Sequence, residues 1–538
     1  MTPSVHRPVL AIGLDGFEIS LAETLMAAGE MPSLAALRDR SAQFLLDHGS
    51  DQKVGLAWEH VATGLTAKDA SRWSAIEFDP ATYFSYQKGA ALQPVLGTLP
   101  VRSVVLDAPY FDLTQAEHIE GLVGWSGLDS GMPLISHPPS LYTELTDRFG
   151  PYPATDWVYA CPAYSVEACE RMGVALVEAV ELRRRIALWM WSKHSQACDL
   201  FHVVAGEVHA AIEGLWHGID PSHPMHEHES APAAAESLRN VYKACDRLVG
   251  DLLEVADGSS AVVFAPGGMG INDSDLQSMV LLPELLCRHA FGRPFLEVPT
   301  KWSQNPGDVP QLKPDQTWGQ AKSEWYPNNL HTLPSRLARR IHKITGVQWP
   351  GAVASNRKSN LNWHPAMAYQ AFWPRMPAFA LPSHFDGRVR LNLAGRESRG
   401  IVALEDYEDT CNAIVSMVAE CRDPRTGECV VARVERSEVT DPLQLHSSDA
   451  DIRISWQGCS NGFEHPEHGL IGPVPYRRTG GHTGPYGVAF VAAEGVGPGR
   501  YGVRPTVDLV PSLVEMLGVR LEGSVSGASF LEPCQTSA

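Results

Sequence analysis

The sequence contains no pair of cysteines in a C-x-x-C spacing, although ten cysteines are scattered along its 538 residues. That absence argues against a zinc ribbon and against a thioredoxin-like redox motif. No basic segment followed by a long apolar run precedes the first apolar strand, Val9-Leu10-Ala11-Ile12. No secretory signal is therefore read, and the expectation is a cytoplasmic chain whose thiols are reduced and mostly buried. Membrane-length apolar runs are also missing. The most apolar helical stretch, Gly173 to Trp191, is interrupted by Glu178, Glu181 and Arg183-Arg184-Arg185, so it reads as a core helix with no membrane partner. Positive charge is in short supply, with 43 Lys and Arg against 62 Asp and Glu, a formal charge of -19 and a pI near 5.5. Such a balance speaks against an undirected nucleic-acid binder, because phosphate backbones are held mainly by lysine and arginine. No internal repeat of solenoid length is present.

What is present is enough apolar sequence, 44% of residues, to bury a large core. The N-terminal third alternates β-like and helix-like stretches: Val9 to Ile12, Leu21 to Ala28, Ser33 to Arg40, then Ser103 to Leu106. Buried strands follow at Leu200 to Ala205 and Ala261 to Ala265, the latter running into Gly267-Gly268-Met269-Gly270. This alternation predicts a parallel sheet covered by helices. Between about Gly292 and Ala380 the texture changes to proline, tryptophan and glutamine, as in Trp302-Ser303-Gln304-Asn305-Pro306. That stretch reads as a cap or interface insertion. The sheet pattern resumes at Val389 to Leu393 and at Gly487 to Ala493. The expected organisation is a core α/β domain in two parts, 1–290 and 381–538, with the insertion 291–380 between them as the place for any oligomer contact.

Aspartate stands directly after the first strand, in Gly13-Leu14-Asp15-Gly16, at the end of a parallel sheet where ligands usually bind. Taken alone it is an ordinary Asp-Gly turn. Further segments follow in order: Gly29-Glu30-Met31-Pro32-Ser33-Leu34, Ala57-Trp58-Glu59-His60-Val61-Ala62-Thr63-Gly64, Asp220-Pro221-Ser222-His223-Pro224, Asn392-Leu393-Ala394-Gly395-Arg396-Glu397 and Gly481-His482. Together these resemble the MPxL, AWxxxxTG, NLxGRE and GxH segments of the type I phosphodiesterase and nucleotide pyrophosphatase branch of the alkaline phosphatase superfamily. The resemblance spans nearly the whole chain. It implies a three-layer α/β/α fold with a mostly parallel central sheet and a cap insertion. It also implies a metal-dependent hydrolase using two ions, usually zinc, with a hydroxyl nucleophile.

The metal site departs from that pattern. Asp15 and His482 match the first aspartate and the late histidine. The nucleophile position, about nine residues before Thr63, holds Val54 after Lys53, and neither is a hydroxyl. The mid-chain aspartate and histidine, four residues apart, are replaced by His209 and Glu213, one helical turn apart and able to offer one nitrogen and one oxygen. An ordinary i,i+4 surface pair is the competing reading. An aspartate-histidine pair is expected before Gly268-Met269-Gly270, yet Pro266 and Gly267 stand there and cannot ligate through side chains.

The candidate metal set is therefore Asp15, His209, Glu213 and His482, holding one divalent ion, zinc by preference. Asp15, Glu59, His60 and Glu207 are the candidate catalytic groups. Glu59 and His60 equally suit the start of a helix, and Asn272, Asp273 and Asp275 suit a solvated loop or helix cap. His217, His223, His226 and His228, set among proline and glutamate, read as an exposed loop. Arg396 and Glu397 read as a structural pair. Two functions stay open: hydrolysis or group transfer on a small-molecule phosphate, phosphodiester or sulfate ester, and a catalytically silent binding or scaffold module. An unrelated chemistry on the same fold, with Trp302, Trp318, Trp325, Trp349, Trp363 and Trp373 lining a pocket, is a third; core packing of those tryptophans is the plainer account.

Overall fold

The computed structural model describes residues 7–48, 56–89, 92–111, 113–115, 118–125, 133–157, 165–313, 316–326, 360–521 and 523–531. Val54, Lys53 and Trp349 lie outside them. Two compact units emerge. Unit 1 comprises Met1–Trp73, Gly89–Ile271 and Arg478–Ala538, and unit 2 comprises Ser74–Lys88 and Asn272–Arg477. The stretch expected as an insertion, 291–380, falls within unit 2.

Unit 1 carries a nine-stranded sheet and a two-stranded ribbon. In chain order the strands are Val9–Leu14 (β1), Ala42–Asp47 (β2), Ser103–Leu106 (β3), Ile119–Val123 (β4), Ile135–His137 (β5), Leu200–Ala205 (β6), Ala261–Ala265 (β7), Gly268–Ile271 (β8), Gly480–Gly484 (β9), Gly487–Ala492 (β10) and Gly499–Pro505 (β11). The spatial order of the large sheet is β11-β2-β10-β7-β1-β6-β3-β4-β5. Strands β7, β1, β6, β3 and β4 run parallel, and β10 lies antiparallel to both neighbours. Buried on both faces, β1, β6 and β7 read as continuous apolar runs, as central parallel strands must.

Two long helices, Val166–His194 and Ala231–Val255, cover one face of this sheet. The second buries Ala234, Leu238, Val241, Cys245, Leu248 and Leu252, a spacing of three and four that makes one apolar stripe. That stripe joins Leu10, Ile12, Leu14, Phe201, Val203 and Ala205 in the main core. The first begins where Ser165 accepts a hydrogen bond from the Ala168 N–H. It holds Arg183 fully buried, and no described helix is long and apolar enough to cross a membrane.

Unit 2 is built on a four-stranded antiparallel sheet, ordered Ala378–Ala380, Gly387–Leu391, Ile452–Trp456, Val431–Arg436. The run expected to resume the parallel sheet at Val389 thus belongs to a different sheet. An apolar run predicts a strand, but its partners are chosen by chain topology. The Asn392 to Glu397 segment is structural: Arg396 bonds Glu397 at 2.9 Å and Asp451 at 2.7 Å, and Arg390 bonds Glu397 at 2.8 Å. Tryptophans of this unit pack on aromatic neighbours, with Trp318 and Trp302 near Trp325 at 5.4 and 6.0 Å and Trp373 on Phe379 at 5.0 Å. Eight cysteines among the described residues are free thiols, and all but Cys429 are buried.

Candidate metal centre

Strands β1 and β6 run in register, Val9 opposite Leu200 and Leu14 opposite Ala205, so their carboxyl ends coincide. Asp15 follows β1, and its N–H donates to the Ala205 carbonyl at 2.9 Å. A short helix, Glu207–Leu215, springs from the end of β6 and presents His209 and Glu213 on one side. Gly16, at φ +66°, lets the turn after β1 close onto that helix. A Cβ there would lie 2.8 Å from the His209 Cα and 2.5 Å from the Met269 sulfur, so a side chain would force the two elements apart. The third element is β9, tied to the same helix by the Thr479 N–H, which donates to the Glu213 carbonyl at 2.8 Å. It carries His482.

These elements converge on a chain of polar contacts. His209 Nδ1 lies 2.7 Å from Asp15 Oδ2, and His209 Nε2 lies 3.1 Å from Glu213 Oε1. The Trp58 indole N–H donates to Asp15 Oδ1 at 2.7 Å. Arg478 Nη1 donates to the same Glu213 Oε1. The His209 and His482 rings meet edge to face, 4.7 Å between centroids. One donor atom each from His209, Glu213 and His482 lies within 4.8 Å of the other two.

Electrostatics bind the group together. Burial pushes the Asp15 carboxyl up, but His209, the Trp58 indole and His482 outweigh it and hold it below the usual range. Burial likewise works against charge on His209, and the Asp15 and Glu213 carboxylates overcome it, raising the imidazole to about 10. His482 is driven the other way, to about 3, by burial and by the neighbouring His209. One ring is thus a cation between two anions, and the other is a neutral nitrogen donor beside it.

The donor set suits a divalent ion. Two imidazoles and a carboxylate are the side chains of three-ligand zinc sites. His209 already has the outer-shell arrangement common in such sites, one ring nitrogen held by a carboxylate and the other facing the cluster. Asp15 stands behind His209 as its partner and outside the three-donor group.

The other candidates sit elsewhere. Glu207 is fully buried, with Arg183 Nε at 3.0 and 3.1 Å from its two oxygens, Arg183 Nη2 at 2.7 Å and the Tyr152 hydroxyl donating at 3.2 Å. It completes an internal ion-pair network that also includes Asp107, 3.0 Å from Arg183 Nη2. Glu59 is buried against Arg72 at 2.7 Å. His60, on the helix Ala57–Thr63, is buried beside His48 with 5.9 Å between ring centroids, and burial depresses it to about 4. The histidines expected on an exposed loop are partly interior. His217 and His223 are buried, and His217 Nε2 lies 3.1 Å from the Ser230 hydroxyl. Short local turns, such as Met225 N–H onto His223 Nδ1 at 3.0 Å, draw this segment inward despite its polar composition. In unit 2, Asn272 Oδ1 accepts from the Ser274 and Asp275 N–H groups, and Asp275 pairs with Arg477 at 2.7 Å.

Trp58 and Arg478 were not among the candidates. Trp58 lies inside the AWxxxxTG segment, a signal that was available. Arg478 is one of two adjacent arginines, and no spacing marks it.

No protein-family model matches the chain, and no curated protein matches it. Solved structures do resemble it. Wild-type alkaline phosphatase PafA superposes with a TM-score of 0.50 at 10% identity, covering 98% of this chain and 99% of that one. Human ectonucleotide pyrophosphatase/phosphodiesterase 5 gives 0.48 at 10%, covering 99% and 100%. Phosphonoacetate hydrolase from Sinorhizobium meliloti 1021, in complex with phosphonoacetate, gives 0.46 at 13%, covering 96% of each chain. The PafA superposition and the mostly parallel, helix-covered sheet agree: the chain has an alkaline phosphatase-like fold.

Proposed function

We propose that the protein is a hydrolase of a small-molecule phosphate, phosphodiester or sulfate ester, using a single divalent metal ion, zinc by preference, held by His209, Glu213 and His482. The observation that carries this reading is the approach of those three donors to within 4.8 Å, with His209 Nδ1 braced by Asp15 at 2.7 Å. A cation there would supply Lewis acidity toward an ester oxygen.

In this reading the chain's own residues do the rest. Asp15, itself fixed by Trp58, orients His209 and sets which ring nitrogen faces the ion. To hold a metal His209 would have to give up the proton it holds between its two carboxylates, so affinity would fall as pH falls. Water serves as the nucleophile. Glu59 and Glu207 are committed to Arg72 and Arg183, and His60 is buried beside His48, so none of these three is assigned as the base.

A silent binding module is favoured by a different feature. The contacts Trp58–Asp15–His209–Glu213–Arg478 form a continuous network that is charge-compensated without a metal. Elemental analysis of the purified, untagged chain separates the two. About one zinc per chain, lost in H482A and H209A, is expected of the enzyme. No bound metal after incubation with zinc, manganese or iron would refute it in favour of the silent module.

A further inference from the structure

We propose that His48 and His60 form a second site, in which their two Nε2 atoms hold one copper(I) ion at the carboxyl edge of the large sheet. This site shares no residue with the His209, Glu213 and His482 centre and stands or falls apart from the single-metal reading.

Strands β2 and β7 both lie antiparallel to β10, with Leu45 and Ala265 opposite Val488, so the residues that follow each of them emerge on the same edge. That is the edge where open α/β sheets take ligands. His48 follows β2 there, and Pro266-Gly267 follow β7. A Cβ on Gly267 would lie 3.8 Å from His48 Cδ2 and 3.9 Å from its Nε2, so this side of the ring faces the glycine. His60 comes from the helix Ala57–Thr63, and the two ring centroids lie 5.9 Å apart. Both Nε2 atoms are shut off from solvent, and neither has a hydrogen-bond partner. Leaving a buried nitrogen without a partner is costly, and two of them on neighbouring rings call for a bound species.

The state of the rings suits a metal. The Pro266 carbonyl stands beside His48 and favours a proton on that ring. Since Nε2 has no partner, the proton belongs on Nδ1, which leaves Nε2 as a lone-pair donor. Burial pushes His48 down to about 3 and His60 to about 4, so both are neutral donors at neutral pH. The donor set then selects the ion. Among the described residues no third His, Cys, Asp or Glu donor joins the pair, and the nitrogens lie out of reach of the water that would complete a larger shell. Zinc closes its shell with four ligands, which two nitrogens do not supply. Imidazole also suits copper, and copper(I), a closed-shell ion, is satisfied by two donors close to a line. Metal–nitrogen bonds of about 2 Å set two such nitrogens about 4 Å apart. Rings centred 5.9 Å apart accommodate that spacing. A single charge also costs less to desolvate than a double one between donors that are themselves neutral.

The test is anaerobic titration of the full chain with copper(I) in competition with bicinchoninate, for wild type, H48A, H60A and H209A, with the melting temperature of each recorded. Wild type and H209A should bind copper(I) alike. Loss of one of two ligands in H48A or H60A should weaken it by about a hundredfold or more. His48 is only half-buried, so H48A decides the case even where H60A fails to fold. X-ray absorption of wild type with one equivalent of copper(I) should show two imidazole nitrogens and no sulfur. No copper(I) bound, affinity in H48A within about threefold of wild type, or sulfur on the metal would each overturn the proposal and leave the zinc measurements untouched. Copper(I) lost in H209A but kept in H48A would overturn it too, by placing the ion in the other centre.

Discussion

Replacing Arg183 by leucine should destabilise unit 1 severely. The guanidinium is fully buried and pairs with two buried carboxylates, Glu207 at 2.7 Å and Asp107 at 3.0 Å, beneath the Trp125 ring, whose centroid lies 5.1 Å from the arginine carbon. Breaking a buried ion pair by removing one partner costs about 3–5 kcal/mol, because the remaining charge stays desolvated and uncompensated. Here two buried carboxylates lose the same cation, so R183L belongs at the upper end. A unit of this size loses about 2 °C in melting temperature per kcal/mol, which predicts a fall of about 8–10 °C. Scanning fluorimetry of wild type, R183L, E207Q and the double variant R183L/E207L is the assay. E207Q keeps the shape and one hydrogen-bonding oxygen and should lose less, and the double variant should recover part of the R183L loss. A melting temperature for R183L within about 2 °C of wild type would refute the view that Glu207 exists to serve Arg183, and would reopen its candidacy as a catalytic base.

His202 stands in the middle of β6 with its ring between Phe111 and Phe264, and among the described residues neither ring nitrogen has a hydrogen-bond partner. Burial depresses it to about 4 from 6.5, so the unfolded state binds more protons across that window and stability falls as pH drops from 6.5 toward 4. H202F should stabilise by about 1 kcal/mol at pH 7 and flatten urea-denaturation stability between those pH values; an unchanged pH slope refutes the assignment. A Cβ on Gly13 would lie 2.5 Å from the edge of the Trp58 indole, whose N–H holds Asp15. G13A should therefore weaken zinc binding by about tenfold or more through that displaced ring, read by competition with a chromogenic chelator. Wild-type affinity in G13A would mean Asp15 is not positioned by Trp58.

The central strands were legible because burial on both faces leaves no room for alternation. The apolar runs Ser103 to Leu106, Leu200 to Ala205 and Ala261 to Ala265 coincide with β3, β6 and β7. Other strands lacked that mark. Along β11, at the sheet edge, most residues are exposed or half-exposed, and its Gly-Arg-Tyr-Gly-Val-Arg-Pro sequence has no apolar pattern to detect. The run at Val389 was readable as a strand but not as a member of the antiparallel sheet of unit 2, since hydrophobicity reports burial and is silent about partners.

The candidate site divides along a similar line. His209 and Glu213 were legible because a separation of four is a local geometric fact, and one helical turn suffices to bring them to 3.1 Å. Asp15 was legible as a member of the site because a parallel strand delivers its next residue to the ligand-binding end of the sheet. Its neighbours were not, since they depend on long-range closure. Arg183 approaches Glu207 from a helix 24 residues upstream, and Arg478 reaches Glu213 from 265 residues downstream. Both contacts pair a candidate carboxylate with an arginine, yet with different consequences. At Glu207 the pair is fully buried, the guanidinium contacts both carboxylate oxygens, and a second carboxylate helps balance its charge. At Glu213 the arginine shares one oxygen with His209, and its side chain is partly exposed. On the proposed reading a dication would compete with Arg478 for that oxygen, whereas Arg183 is held by two buried carboxylates at once. That difference in setting, invisible in residue type, is what marks Glu207 as a structural carboxylate and Glu213 as the candidate ligand.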